Sequence, residues 1–300
     1  MRIVTLDPSS TEIIAYLKGT NAIVGVSEDS DNPPEVKEKI KVTRKTTNIT
    51  NDLPSEEIDR IVREHIKNMK PLHEADWNLI YALYPDLVVG QNICETCSLP
   101  SVTPMNLITS RRLTGKLRTI RMASFGPNTF MGIVDEARKL AKLTDSLERV
   151  DSLKEKFDNA RQEILNIAKG KKVILIEWIK PIHIMGKWVT DILDIMGSRS
   201  IVRPGGKGGI FEWDVIREFN PDYLLISPCS FPVERTMKEI WKLTSLPGWD
   251  DINAVRTKNV YVLEPIYARP TQNILTFVGV LRDLFLTGEV DKKYGIKLYD

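Results

Sequence analysis

The sequence predicts an α/β protein with two lobes, because one order of strands and helices occurs twice along its 300 residues. In the first half, an apolar strand-like segment at 3–6 is followed by an amphipathic helix and a second strand at 22–26. A Pro-Asp pair at 85–86 then leads a third apolar strand, and a fourth strand-like segment lies at 119–123. Strands that alternate with helices are typical of the α/β fold class.

The second half of the chain repeats this order. Strand-like segments occur at 173–176 and 200–202, a Pro-Asp pair at 221–222 leads the third, and a fourth lies at 260–263. From the aspartate to the fourth strand the chain runs 33 residues in the first copy (86 to 119) and 38 in the second (222 to 260). Two copies of one unit predict two lobes, and a crevice between lobes is where a small ligand usually binds.

The composition argues against several other classes of protein. The 42 basic and 40 acidic residues give a net charge of +2, without the basic stripe that a nucleic-acid partner requires. Three cysteines are too few for a disulfide framework in a chain of this length. No apolar run approaches the roughly 18 residues that a membrane span needs. We therefore expect no nucleic-acid partner. We also expect the protein to be a monomer.

The apolar spacing between residues 128 and 168 predicts two consecutive helices, at 128–143 and 146–168. The break falls at Asp145-Ser146, where Glu148 completes a capping-box pattern. At 1.5 Å per residue the first helix is about 24 Å long, which is enough to connect two lobes. The alternative is an ordinary surface helix inside one lobe.

Two further motifs contain residue types that occur in nucleotide, metal or redox sites. Residues 203–209 (RPGGKGG) lack the Ser or Thr of a phosphate loop, so we expect a flexible loop without a nucleotide. Cys94 and Cys97 have CxxC spacing, but a structural zinc site needs a second pair and a redox pair opens a helix. Structural packing, ligand contact and metal or redox chemistry stay open for this pair. The three histidines have no metal-binding spacing, and we predict no metal site.

The start of the chain shows no leader pattern, because Met1-Arg2 runs directly into an apolar strand. If Met1 is the native start, we expect a cytoplasmic protein. If a leader precedes this sequence in the precursor, the protein is extracytoplasmic.

Five stretches of the chain together resemble one protein family. They are RIVTLDPSSTEIIAYLKGTNAIVGVSEDSDNPPEV, PDLVVGQNICETC, LIEWIKPIHIMGKW, PDYLLISPCSFPVE and LPGWDDINAVRTKNVYVLEP. In this order they span nearly the whole chain and resemble ABC-transporter substrate-binding proteins of the iron-siderophore and cobalamin type. The likeness is strongest to the cobalamin-binding subgroup.

The resemblance implies two Rossmann-like lobes joined by a single long helix. On this reading residues 1–125 form the N-terminal lobe, 126–145 the lobe-spanning helix and 146–300 the C-terminal lobe. It also implies a non-enzymatic protein that has no cofactor and binds a corrinoid or a ferric chelate in the cleft between the lobes. The alternative function is a cytosolic enzyme or a metal- or cofactor-handling protein with the same fold, because fold does not fix function.

Carried over by position, the resemblance also implies the residues that contact the ligand, in loops at the carboxyl ends of the strands. They are Pro8, Ser9, Ser10, Glu28, Asp29, Asp31, Gln91 and Asn92 in the first lobe, and Glu177, Trp178, Lys187, Trp188, Cys229, Phe231, Tyr267 and Arg269 in the second. Core packing is the alternative role for the two tryptophans. Helix capping is the alternative for the Asp-Pro-Ser-Ser segment that begins at residue 7.

The resemblance further implies an ABC permease as partner. Glu95 and Glu234 follow the third strand of their respective copies, and an acidic residue at about this place in each lobe meets arginines of the permease in the resembled family. The alternative is that both glutamates only favour the N-terminal dipole of a helix.

Overall fold

The computed structural model describes residues 1–50, 52–92 and 120–299, which divide into two compact units. Unit 1 consists of Met1–Asn48, Val62–Pro127 and Ile133–Lys154, and unit 2 of Ile49–Ile61, Asn128–Gly132 and Glu155–Asp300. Each unit contains a sheet with helices, so the predicted two-lobed α/β class is confirmed. Unit 2 includes residues 49–61, which the boundaries expected from the sequence assign to the first lobe.

Unit 1 is built around a parallel sheet of four strands in the order β2-β1-β5-β6. A separate antiparallel pair is formed by β3 and β4. The strands are β1 Ile3–Thr5, β2 Ile23–Gly25, β3 Thr43–Lys45, β4 His73–Ala75, β5 Leu87–Gln91 and β6 Arg121–Phe125. Among the described residues of this part of the sequence, the helices are α1 Pro8–Lys18, α2 Ser55–Lys67 and α3 Trp77–Ala82.

Unit 2 is built around a mixed sheet of six strands in the order β12-β11-β10-β7-β8-β9. The three central strands β11, β10 and β7 are parallel, and the outer strands are antiparallel to their neighbours. The strands are β7 Val173–Trp178, β8 His183–Ile184, β9 Gly209–Ile210, β10 Tyr223–Ile226, β11 Val260–Leu263 and β12 Gly295–Lys297. The remaining helices are α4 Phe130–Thr144, α5 Leu147–Glu163, α6 Lys187–Ile195, α7 Trp213–Phe219, α8 Val233–Met237, α9 Trp241–Thr244, α10 Asn253–Arg256 and α11 Ile274–Thr287.

The predicted break between two consecutive helices is confirmed. Helix α4 ends at Thr144 and α5 begins at Leu147, and between them Asp145 adopts a positive φ of 53°. The start of α4 is capped by a residue distant in sequence, because the Phe130 N–H donates to Asp191 Oδ2 at 2.8 Å. Both α4 and α5 contribute residues to each of the two units.

The predicted strand at 200–202 is wrong. The chain makes only an isolated bridge between Arg199 and Lys172 before it turns away. Pro204 has no N–H to donate to a ladder, and Gly205 takes a positive φ of 65°. The place beside β7 is filled instead by the antiparallel strand β8. The duplication is therefore incomplete in unit 2.

The aspartates of the two Pro-Asp pairs make the same hydrogen bonds in their respective sheets. Asp86 Oδ2 accepts the backbone N–H of Arg2 at 2.7 Å, and Asp222 Oδ2 accepts that of Lys172 at 2.8 Å. In return, the backbone N–H of each aspartate donates to the carbonyl of the same partner, at 2.7 and 2.8 Å. Each aspartate thereby fixes the start of its strand beside the first strand of the sheet.

The residue that precedes the first strand completes this arrangement with its side chain. Arg2 Nε donates to the carbonyl oxygen of Leu83 at 2.9 Å, and Lys172 Nζ donates to that of Phe219 at 2.9 Å. Leu83 and Phe219 lie at the carboxyl ends of α3 and α7, where a cation stabilises the unpaired carbonyls. The duplication detected in the sequence therefore extends to individual hydrogen bonds.

None of the helices in the described part of the chain combines the length and the apolar character that a membrane crossing requires.

We expect Asp86→Ala and Asp222→Ala each to lower the free energy of unfolding by about 1.5–3 kcal/mol, the range for a hydrogen bond to a charged group. Asp250→Ala, at an exposed position, is the matched control and should change it by less than about 0.5 kcal/mol. Urea unfolding followed by circular dichroism measures all three. A loss no larger than that of the control would contradict the register-fixing role.

Candidate ligand-binding site

The turn after β1 is organised by a buried carboxylate. Asp7 is 4% exposed, and its Oδ1 accepts the backbone N–H of Ser10 at 2.8 Å, which caps α1. Burial raises the pKa of Asp7 to about 6, although the hydrogen bond from Ser10 opposes this shift. Ser9 and Ser10 are themselves buried, whereas Pro8 is partly exposed. This geometry favours the capping alternative for the segment.

A chain of hydroxyl groups connects the turn after β1 to the turn after β2. Thr11 Oγ1 lies 2.7 Å from Thr5 Oγ1 and 2.7 Å from Ser30 Oγ, and Ser30 Oγ lies 2.9 Å from Ser27 Oγ. All four residues are buried, so the network holds the two turns in a fixed arrangement. The predicted ligand residues Glu28, Asp29 and Asp31 surround Ser30 in sequence and are half-buried.

The third loop of unit 1 follows β5. Gln91 is the last residue of this strand and half-buried, and Asn92 is exposed. The backbone N–H of Asn92 donates to the carbonyl of Phe125 at 2.9 Å, so the pairing of β5 with β6 continues past the strand end. Cys94, Glu95 and Cys97 lie outside the described residues.

Trp178, at the end of β7, is half-buried, and two groups of unit 2 hold it. Its indole Nε1 donates to the carbonyl oxygen of Ser55 at 3.2 Å, and its ring centroid lies 4.9 Å from that of Phe231. The guanidinium of Arg235 lies over the other aromatic ring, with its carbon 4.3 Å from the Phe231 centroid. Phe231 is 2% exposed, so of these two aromatic rings the half-buried Trp178 is the more accessible to solvent.

Glu239 connects segment Ile49–Ile61 to the rest of unit 2. Its two carboxylate oxygens lie 3.2 and 3.1 Å from the backbone nitrogen of Ser55, the first residue of α2. Arg235 binds the same carboxylate at 2.6 Å and also donates to the Leu53 carbonyl at 2.7 Å. Lys242 binds Glu239 at 3.0 Å and additionally contacts Glu56.

The charge of Glu239 is strongly stabilised. Burial alone would raise the pKa of this carboxyl, but hydrogen bonds from Ser55, Arg235 and Lys242 outweigh burial and hold it at about 2. The side chain is 7% exposed, and those of Arg235 and Lys242 are 12% and 9% exposed. A buried carboxylate with this many donors fixes the start of α2.

The second predicted tryptophan, Trp188, is 4% exposed, and its indole Nε1 donates to the carbonyl of Ala268 at 2.9 Å. This placement favours the core-packing alternative. Its neighbour Lys187 is half-buried and has a positive φ of 53°.

Residues 203–209 pack against the turn before α6. The Lys187 N–H donates to the Gly206 carbonyl, and a Cβ on Gly186 would lie 2.2 Å from Gly206 O and 2.3 Å from Gly208 N. Only glycine allows this approach of the two backbones. Backbone contacts therefore hold the segment that the sequence predicts to be a flexible loop.

The remaining predicted residues of unit 2 follow β10 and β11. Cys229 is exposed, and its backbone N–H donates to the Glu177 carbonyl at 3.0 Å. Tyr267 is half-buried in a 3₁₀ turn, with its ring centroid 5.0 Å from that of Tyr294 in an edge-to-face arrangement. Arg269 follows that turn and is also half-buried. Glu177 is half-buried at the end of β7.

The family of the protein follows from a comparison with known protein families. The chain matches the family described as "Periplasmic binding protein" over residues 3–267. The chain belongs to this family. The match confirms the resemblance to ABC-transporter substrate-binding proteins inferred from the five stretches. A search of curated protein sequences gave no match.

Solved structures with the same fold include several periplasmic binding proteins. A possible iron-binding (periplasmic solute-binding) protein from Staphylococcus epidermidis has 20% identity and a TM-score of 0.67, over 95% of this chain and 98% of that one. The periplasmic vitamin B12 binding protein BtuF of Vibrio cholerae has 18% identity and a TM-score of 0.65, over 95% and 96%. IsdE of S. aureus, solved with heme, has 16% identity and a TM-score of 0.66, over 95% and 98%.

The role of Glu239 could not be predicted from the sequence around it. Arg235 and Lys242 stand four residues before and three residues after it, which is the spacing of ordinary ion pairs on a helical surface. The partner that makes the cluster unusual is the backbone of Ser55, 184 residues away. Nothing in the local pattern points to that partner.

We expect Glu239→Gln to lower the free energy of unfolding by about 3–5 kcal/mol at pH 7, the usual effect of removing one partner from a buried ion pair. Because the folded pKa of about 2 lies below the ordinary 4.5, the stabilisation is complete above about pH 4.5. It decreases as the pH falls towards 2. Urea unfolding from pH 7 to pH 2 should therefore show the wild type and the variant converging in acid.

Glu234→Gln is the matched control, since Glu234 is an exposed glutamate in the same segment. It should follow the wild type at every pH. A constant difference between Glu239→Gln and wild type from pH 7 to pH 2 would contradict the role of the ionised carboxylate.

Proposed function

We propose that this protein is a non-enzymatic ligand-binding protein of the ABC-importer class that takes a corrinoid or a ferric chelate. The observation that carries the proposal is the family match, which extends over residues 3–267 and includes the loops after the parallel strands of both units. The names of two similar structures, a vitamin B12 binding protein and a heme complex, support ligands of this size and shape.

The side chains in these loops suit a broad ring system with polar edges. Trp178 and Tyr267 offer aromatic faces and are both half-buried, and large rings bury much area with little loss of rotational freedom. Gln91 and Asn92 carry amide groups at the end of β5, and Arg269 carries a guanidinium after β11. Amides can pair with the amide fringe of a corrinoid, and the guanidinium can pair with a carboxylate of a chelate.

Titration of the purified protein with cyanocobalamin, hemin and a ferric siderophore tests this function, with tryptophan fluorescence as the signal. We expect one of the three to bind with a Kd in the micromolar range or below. Trp178→Ala and Tyr267→Ala should each weaken that ligand at least tenfold, or about 1.4 kcal/mol. Trp241→Ala, at a tryptophan that is 60% exposed, is the control and should leave the Kd unchanged.

The melting temperature of each variant separates ligand contact from core packing. A variant that keeps its melting temperature but loses affinity identifies a ligand contact. Failure of all three ligands to bind the wild type at 100 μM, on the order of −5.5 kcal/mol, would overturn the proposed ligand class.

We further propose that Glu234 and Glu95 dock the protein onto an ABC permease. Glu234 is exposed in the first turn of α8, as a docking residue must be, and Glu95 lies outside the described residues. Exposed charges at the rim of an interface steer association more than they add affinity.

The double variant Glu95→Lys/Glu234→Lys should keep its ligand Kd but stimulate ATP hydrolysis by the reconstituted importer less than wild type. Equal stimulation would show that the two glutamates are not docking residues.

A further inference from the structure

Three potential metal ligands converge in unit 1, although they form no recognisable metal-binding motif in the sequence. Glu28 and Asp29 lie in the turn after β2, and His73 is the first residue of β4. One ligand atom from each of the three side chains lies within 4.8 Å of the other two. The set has one imidazole nitrogen and two carboxylates, a combination that suits divalent transition metals.

The β3–β4 pair builds this arrangement. His73 stands opposite Lys45 in the antiparallel register. Thr43, on the same face of β3 as Lys45 because side chains alternate along a strand, accepts the Glu28 N–H at 3.0 Å. One face of this antiparallel pair therefore both anchors the turn after β2 and presents His73 to it. Backbone pairing fixes the histidine, and the hydrogen bond to Thr43 fixes the glutamate.

The distances fit groups arranged around a central ion better than groups bonded to each other. His73 Nδ1 lies 3.4 Å from Glu28 Oε1 and 3.8 Å from Asp29 Oδ2, longer than an ordinary N–H···O bond of about 2.7–3.2 Å. Around a tetrahedral zinc ion with ligand distances of about 2.1 Å, neighbouring ligand atoms lie about 3.4 Å apart. Both measured separations are close to that value.

A buried oxygen at the same place supplies a second observation. Glu28 Oε1 has almost no solvent contact and accepts no hydrogen bond, and a buried carboxylate oxygen without a donor is destabilising. Lys45 Nζ binds Asp29 Oδ1 at 2.9 Å, which leaves the Oδ2 atom facing His73. The two oxygens that face the imidazole are thus the ones that a cation would bind.

The geometry points to a divalent transition-metal site formed by Glu28 Oε1, Asp29 Oδ2 and His73 Nδ1. Three protein ligands leave a fourth position of a tetrahedral ion for a water molecule or for a donor atom of another molecule. Lys45 neutralises part of the negative charge without occupying a ligand position. Two of its ligands, Glu28 and Asp29, are also residues that the resemblance implies as ligand contacts, but the proposed ligand class does not require a bound metal, so failure of zinc to bind would leave that proposal intact.

Isothermal titration of chelator-treated, dialysed protein with ZnCl₂ at pH 7 tests the site. We expect one ion to bind per chain, and His73→Gln and the isosteric Glu28→Gln each to lower the affinity at least tenfold. His65→Gln and Cys97→Ser are the controls and should keep the wild-type affinity. Two variants at different ligands keep the test decisive if one of them fails to fold.

Cobalt substitution separates this site from the cysteines. Co²⁺ at the three named ligands should give a tetrahedral d–d spectrum without thiolate charge-transfer absorption. Absence of zinc binding to the wild type, a thiolate band, or wild-type zinc affinity in His73→Gln and Glu28→Gln would overturn the assignment. The three side chains would then form only a surface ion-pair cluster.

Discussion

In the main sheet of each unit, a carboxylate bonded to the backbone of the neighbouring strand fixes the register on which the other features depend. Asp86 holds Arg2 and Asp222 holds Lys172, in both cases through one side-chain and one main-chain hydrogen bond. Parallel pairing offers no hairpin turn to set the register, so a specific anchor at the strand start takes that function. A slip by one residue would move every apolar side chain to the opposite face.

The anchors act at the amino ends of the strands, and their effect is felt at the carboxyl ends. With Ile3 opposite Leu87, Thr5 lies opposite Val89, and the turn that contains Asp7 begins at the same edge as Gln91. In unit 2 the register pairs Tyr223 with Val173 and Ile226 with Ile176, so Trp178 at the end of β7 and the loop that contains Cys229 lie at the same edge of the sheet. The loops assigned to ligand binding are therefore positioned by residues at the opposite edge.

Local signals in the sequence predicted what is local or repeated in the structure. The Pro-Asp pairs, the apolar strands and the break at Asp145 depend on neighbours in the chain or on the duplicated pattern. The strand expected at 200–202 was wrong because the Pro204-Gly205 turn, and not the apolar residues before it, determines where the chain goes. The burial of Trp188 involves a hydrogen bond to the carbonyl of Ala268, which is 80 residues away in the sequence. The cluster around Glu239 and the convergence of His73 with Glu28 and Asp29 likewise need contacts between distant segments, which leave no pattern in a single sequence.

The segment Ile49–Ile61 has a consequence for how the protein is made. Ser55, in this segment, donates its backbone N–H to Glu239, which lies 184 residues further along the chain. The ribosome therefore synthesises the segment well before it adds Glu239. At about 5–20 residues per second, this interval lasts roughly 10–40 s. During that time the start of α2 lacks its counter-charge, and the nascent chain exposes Ile58, which is buried in the finished protein. A chaperone can bind the exposed segment during this interval. The C-terminal half of the chain alone does not contain the whole of unit 2, because unit 2 includes Ile49–Ile61.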